Sequence, residues 1–329
     1  NTTDVFPTNE KTLYDDNGNE LITTANCGHG THVSGIIGAV GNNEVGITGV
    51  APKAKILPIK ALGNPLIGDE GEQNLSTNDK LLDGIVYAVN NKTNIVNMSI
   101  GGYANENSIG AAIRETISTA SNTLFVVSAG NDSRDLSGDN TEYNYPAMYD
   151  CDNMIIVAAM NYNGELCDFS NYNGPTQIAA PGEMILSTYP VEKDSYCFES
   201  GTSMAAPQVS GVAALIWSYY KNLTAAQVKQ RIISANNVSY NNKLDGKVSS
   251  NGYLNAWYAF SNDSALPRKI PKHENTVNEI QRKKAIISEL KSKTPDSQKT
   301  NEIFVKALND DCINILDECI SSYKYKIVK

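Results

Sequence analysis

The chain has 329 residues, 41% of them hydrophobic and 19% charged, enough apolar material for one large domain with an appendage or for two ordinary domains. The net charge of −9 is uneven: residues 265–329 hold 13 Lys and Arg against 9 Asp and Glu, so the body upstream is strongly acidic. An acidic body argues against nucleic acid as a partner, and no apolar run reaches the roughly 18–20 residues of a membrane-spanning helix.

The first 26 residues are polar and turn-rich, with Asp15-Asp16-Asn17-Gly18 reading as a tight turn. Asn1 is followed by no charged-then-apolar leader, so any secretion signal is expected outside this sequence. From residue 28 onward, short Val/Ile-rich runs alternate with helical patterns. The runs Lys55–Lys60, Ile95–Ile100, Leu124–Ser128, Ile155–Ala159 and Gln177–Ala180 have the nearly continuous apolar character of buried parallel strands. Helices are predicted over Thr31–Ala39, Lys80–Asn90, Ser108–Ser121, Met204–Tyr220 and Ala225–Ser234, the last capped by Thr224. This alternation predicts a doubly wound α/β domain with a mainly parallel sheet over residues 1–264. Beyond Pro267 and Pro271 the chain becomes Lys/Glu-rich. Val277, Ile280, Ile287 and Leu290, then Phe304, Leu308, Cys312, Ile315 and Cys319, recur at helical spacing on either side of Pro295. Residues 265–329 therefore read as a helical hairpin whose apolar stripes pack on each other or on a partner. The six cysteines are scattered without a CxxC pair, so small core residues or disulfides are expected rather than a zinc site.

Three segments carry chemistry. In Gly201-Thr202-Ser203-Met204-Ala205-Ala206-Pro207 a serine leaves a Gly-Thr turn at the start of a long apolar helix. Helix starts offer unpaired N–H groups and partial positive charge. A lone serine there is more often a cap. Gly28-His29-Gly30-Thr31-His32 holds two of the three histidines, the first of them between glycines. Ser128-Ala129-Gly130-Asn131 ends an apolar strand at the sheet edge where parallel sheets bind ligands. An Asn amide there can donate to a developing oxyanion.

Together, in the order His, Asn, Ser, these segments resemble the subtilisin-like serine peptidases, the subtilases, over about residues 25–264. Asn97-Met98-Ser99-Ile100-Gly101-Gly102, Tyr145-Pro146-Ala147, Ala180-Pro181-Gly182 and Ser250–Ala256 fall in the same family order. The resemblance implies a serine endopeptidase with Ser203 as nucleophile and His29 as general base. Asn131 and the Ser203 N–H would hold the oxyanion. His32 is expected to be structural. An extended protein or peptide substrate would pair with Ser99, Ile100 and Gly101. A second substrate segment is implied near Leu75, with Asn78 and Leu81 walling an outer pocket. Asp132 and Asn144 are implied at the rim and floor of the main specificity pocket. Asn42–Gly49 resembles the family's calcium loop, with Gly41, Asn43, Val45 and Ile47 as ligands of a structural ion. No cofactor is implied for catalysis, and the family implies an extracellular or secretory-pathway location.

One element departs from the pattern. The family's triad aspartate closes an apolar strand ahead of the histidine. Asp4, Asp15 and Asp16 sit in polar surroundings and close no such strand. The aspartate, its strand and any inhibitory propeptide are expected upstream of Asn1, and this chain alone is expected to fold poorly and turn over slowly. The absence leaves a non-catalytic peptide- or partner-binding subtilase fold as the alternative. An intracellular processing enzyme, its tail a localisation element, is a third reading. Of the eight Asn-X-Ser/Thr sequons, Asn97 and Asn131 fall at the implied active site, so the sequons reflect an Asn-rich chain more than glycosylation.

Overall fold

In the computed structural model the described residues are 13–14, 20–22, 28–61, 77–104, 108–138, 143–149, 151–191 and 195–261. The predicted hairpin over 265–329, Asp4, Asp15, Asp16 and Leu75 lie outside them.

In chain order the elements are β1 (Leu13–Tyr14), β2 (Glu20–Ile22), α1 (His29–Gly38), α2 (Thr77–Asn90), β3 (Ile95–Met98), β4 (Gly102–Ala104) and α3 (Ser108–Thr119). Then come β5 (Leu124–Ser128), β6 (Tyr143–Tyr145), β7 (Met154–Met160), β8 (Ile178–Pro181), β9 (Ile185–Thr188) and β10 (Tyr196–Glu199). The remainder is α4 (Thr202–Tyr219), α5 (Ala225–Ile233), β11 (Ser239–Tyr240), β12 (Gly252–Tyr253) and α6 (Ala256–Ser261).

The main sheet runs β11-β12-β8-β7-β5-β3, and every pairing in it is parallel except β11 with β12. The residues of β5 and β7 are buried throughout, as a sheet covered on both faces requires. Alternation decides which layer each residue joins. Leu124, Val126, Ile155 and Val157 share a core with Val209, Val212 and Ile216 of α4 and Val228 and Ile232 of α5. Phe125, Val127, Met154 and Ile156 face the other way, onto Ile85 of α2 and Ile113 and Ile117 of α3. Helix α5 starts as its sequence dictates: Thr224 and Gln227 form a reciprocal capping box.

One predicted strand is not formed. Lys55–Lys60 has no ladder partner among the described residues, and β3 pairs only with β5. Ile56 packs toward Gly38 of α1, and Ile59 and Ala61 toward Gly84 of α2. The stretch thus lies between the two helical layers, where a strand would lie. Ile56 and Leu57 nonetheless remain 40% and 43% exposed. Apolar composition alone does not make a strand, and no described residue forms a ladder with this stretch.

Candidate active site

Ser203 is the second residue of α4. The turn before it packs tightly: a Cβ on Gly182 would lie 2.8 Å from the Gly201 carbonyl, and the Gly201 N–H donates to the Gly182 carbonyl at 2.7 Å. This explains the Ala180-Pro181-Gly182 motif in terms of close backbone approach. Pro207 lies inside α4. It has no N–H to give the carbonyl four residues back, which is that of Ser203. The released carbonyl accepts instead from Ser99 Oγ at 2.8 Å. Asn97 Nδ2 donates to Ser99 Oγ at 2.9 Å, and Ser210 Oγ donates to Asn97 Oδ1 at 2.8 Å. A polar chain therefore ties the 97–99 stretch to the nucleophile helix. The Ser203 hydroxyl points to the Ser99 carbonyl at a long 3.4 Å.

Asn131 is oriented without ambiguity. Its Oδ1 accepts from the Thr202 N–H and from Thr202 Oγ1, each at 2.8 Å. A Cβ built on Gly201 would lie 3.5 Å from Asn131 Nδ2 and 3.6 Å from the Ser203 nitrogen. Two N–H donors thus border one small hollow, the arrangement that stabilises an oxyanion. Thr202 and Asn171 are contributors that the sequence did not signal. Asn171 Oδ1 accepts from the N–H groups of Asp132 and Arg134, fixing the loop after Asn131. It comes from a distant loop with no motif around it.

His29 opens α1, and α1 packs along α4. Val33, one turn on from His29, shares a core cluster with Met204, the residue after Ser203. The helix face that carries His29 is therefore the one turned to the start of α4. Burial lowers the His29 pKa and favours a neutral imidazole, the form a general base needs. No carboxylate among the described residues contributes to that shift. Gly28 is required for packing, because a Cβ there would strike the Tyr189 ring; Gly30 faces open space.

His32 is the structural residue expected. It is fully buried, and its Nε2 lies 2.9 Å from the Ile185 carbonyl and 3.0 Å from that of Cys197. Burial holds its pKa down at about 4. Its Nδ1 lies 3.7 Å from Glu199 Oε2, and burial raises the Glu199 pKa against a hydrogen bond from Tyr189. Hydroxyls seat the helix: Ser187 Oγ donates to the His32 carbonyl and Thr188 Oγ1 to that of Thr31.

Of the other predicted site residues, Ser99, Ile100 and Gly101 lead from β3 into β4, which pairs with β6. Gly101 is exposed and Asp132 lies exposed beyond Asn131. Asn144, on β6, is 2% exposed and donates through Nδ2 to the Ala129 carbonyl. Asn78 lies in α2, and Leu81 packs against the core beneath that helix. Cys151 and Cys167 are buried, as small core residues should be. In the 41–47 loop, Asn43 Oδ1 accepts from the Val45 N–H, and Asn42 and Glu44 adopt positive φ. Gly41, Asn43, Val45 and Ile47 would supply four neutral oxygens, short of the six to eight that calcium takes, so this loop alone does not fit the ion. No group of three His, Cys, Asp or Glu side chains among the described residues could hold a metal. No helix among them is long and apolar enough to cross a membrane.

The chain is similar to proteins already known. Residues 1–256 match the Subtilase family, peptidase S8. The thermostable alkaline protease of Halalkalibacterium halodurans is 39% identical over 207 residues, 63% of this chain and 52% of that protein. The major intracellular serine protease of Bacillus subtilis is 37% identical over 244 residues, 73% of this chain and 71% of that one. This chain thus spans about half the length of the first relative. Among solved structures, the prenylagaramide maturation protease PagA aligns with a TM-score of 0.55 at 29% identity, covering 70% of this chain and 81% of that one. The epidermin leader peptide processing serine protease from Staphylococcus aureus aligns with a TM-score of 0.58 at 25% identity, covering 73% and 64%. With its parallel sheet, its helix-borne serine and histidine and a match across most of its length, the chain belongs to the subtilase family of serine proteases.

Proposed function

We propose that the chain is the catalytic portion of a serine endopeptidase, with Ser203 as nucleophile, His29 as general base and Asn131 as oxyanion donor. Ser203 Oγ attacks the carbonyl carbon of the scissile peptide while its proton passes to His29. The tetrahedral oxyanion lies between Asn131 Nδ2 and the Ser203 N–H. His29 then protonates the leaving amine, the C–N bond breaks, and an acyl-enzyme remains. Water, deprotonated by His29, hydrolyses the ester and restores the serine. The peptide lies extended along Ser99–Gly101, with Asn144 and Asp132 beside the residue preceding the cut and Leu81 further along. The observation that carries this reading is the fixed orientation of Asn131, whose oxygen is committed to Thr202 and whose N–H group shares a hollow with the Ser203 N–H.

No aspartate among the described residues orients His29. Where that role goes unfilled, turnover falls by about four orders of magnitude, a cost known for subtilisin itself. The second reading is a subtilase fold that binds peptides without cutting them. A structural calcium ion at Gly41, Asn43, Val45 and Ile47 would need further ligands beyond those four. We place the peptidase domain within residues 1–264, with 265–329 a separate helical extension. We place the protein outside the cell, by analogy with relatives such as the extracellular basic protease of Dichelobacter nodosus.

A fluorophosphonate probe followed by intact-mass and peptide mapping tests the assignment. Labelling confined to Ser203, abolished in S203A and strongly slowed in H29A, is expected. An unlabelled chain with a cooperative thermal melt would establish the binding reading in its place.

A further inference from the structure

The far end of α4 carries an apolar surface that the peptidase chemistry does not use. Leu215 and Tyr219, one turn apart, are 37% and 67% exposed, and Trp257 of α6 is 62% exposed. The Tyr219 ring lies 5.0 Å from that of Phe260, which shares a face of α6 with Trp257. Phe260 thus joins the three exposed side chains into one surface. Contiguous apolar surfaces mark contacts, whereas scattered apolar residues do not. The chain leaves the domain at the rim of this surface. The Phe260 carbonyl accepts from Tyr220 Oη at 2.9 Å and from Arg231 Nη2 at 3.0 Å. The Arg231 guanidinium in turn lies 4.1 Å from the centre of the Tyr220 ring. These bonds hold the last turn of α6 in place, and residues 262–329 begin two positions after Phe260.

We infer that this surface is the docking site of the chain's own C-terminal extension, whose apolar stripe Val277, Ile280, Ile287 and Leu290 lies across Leu215, Tyr219 and Trp257. The stripe recurs at the period of one helix face, and such a face needs a surface to cover it. Val277 is 16 residues beyond Ser261, about 55 Å at full stretch, so reach does not limit the contact. A tether of that length gives an effective concentration on the order of millimolar. A contact too weak to hold a second copy at micromolar concentration therefore suffices to hold the extension. Charge acts in the same direction: the extension has 13 Lys and Arg against 9 Asp and Glu, and the rest of the chain is acidic. Tyr219 lies 16 residues beyond Ser203 along α4, about 24 Å, so the docked stripe sits away from the nucleophile.

The full chain has two tryptophans, so W217F leaves Trp257 as the reporter. In that chain acrylamide is expected to quench Trp257 weakly. I280D/I287D places carboxylates in the stripe and changes no residue of the described domain. It is expected to raise the quenching constant about twofold, as the indole returns to solvent. The converse substitution, L215D, should speed deuterium uptake by residues 277–290. A thermal melt checks the fold of W217F. Should that variant not fold, the same comparison is read with both tryptophans present, where Trp217 contributes equally to the two chains. Shielding of Trp257 should stay constant over about a hundredfold range of protein concentration, as a tethered contact requires. Shielding that grows with concentration would assign the surface to a second copy. Equal quenching in the parent and in I280D/I287D would leave the surface uncovered. Either result overturns the inference.

Discussion

At Ser203 a single proline changes the wiring of the site. Because Pro207 withholds an N–H, the Ser203 carbonyl is available to Ser99 Oγ, and the stretch that follows β3 is tied to the start of α4 at 2.8 Å. S99A leaves that carbonyl without its partner. We predict a loss of about 1–2 kcal/mol in stability, by urea denaturation. Slower phosphonate labelling of Ser203 should accompany it. Gly201 gives the converse case. A methyl there meets its neighbours at 3.5–3.7 Å, an ordinary contact, yet it lies between Asn131 Nδ2 and the Ser203 N–H. G201A should therefore melt within a few degrees of the parent and lose about a hundredfold or more in labelling rate, the scale of losing an oxyanion donor. Ser203, His29 and Asn131 were proposed from their motifs, each set among particular small neighbours in sequence. Thr202 and Asn171 were not, because their roles consist of tertiary contacts.

Helix α1 carries two histidines that burial treats differently. His29 needs only to stay neutral, and since burial lowers its pKa from 6.5, the acid limb of any activity should fall below pH 6.5. His32 is a folding matter. Its pKa is about 4 in the fold against 6.5 in the unfolded chain, so between those values the unfolded chain binds more protons. Stability from this group is complete above pH 6.5 and is lost on acidification toward 4, by about 3 kcal/mol in all. Glu199 opposes it. Its folded pKa is raised above 4.5, so its contribution declines as pH rises through that region. Urea midpoints between pH 4 and 7 should rise with pH, and rise more steeply in E199Q. The helices were readable from periodicity and capping, α5 above all. The hairpin of β9 and β10 escaped notice, because its residues are only partly buried in β10 and alternate in β9, a weaker signal than a continuous apolar run.

Across the whole molecule the sequence pattern captured the layers, since runs such as Leu124–Ser128 can only be interior strands. It overreached at Lys55–Lys60, where composition suited a strand but the register of neighbours did not supply one. The unshared side of β3 has a kinetic consequence. Main-chain amides of β5 and β7 are locked between neighbours and should exchange with deuterium only through global opening. The amides at 95–98 that turn away from β5 meet no carbonyl among the described residues and should exchange orders of magnitude sooner, in step with those at 55–60. Mass spectrometry of overlapping peptides resolves the two classes. Uniform slow exchange across both stretches would mean that this flank is closed in solution.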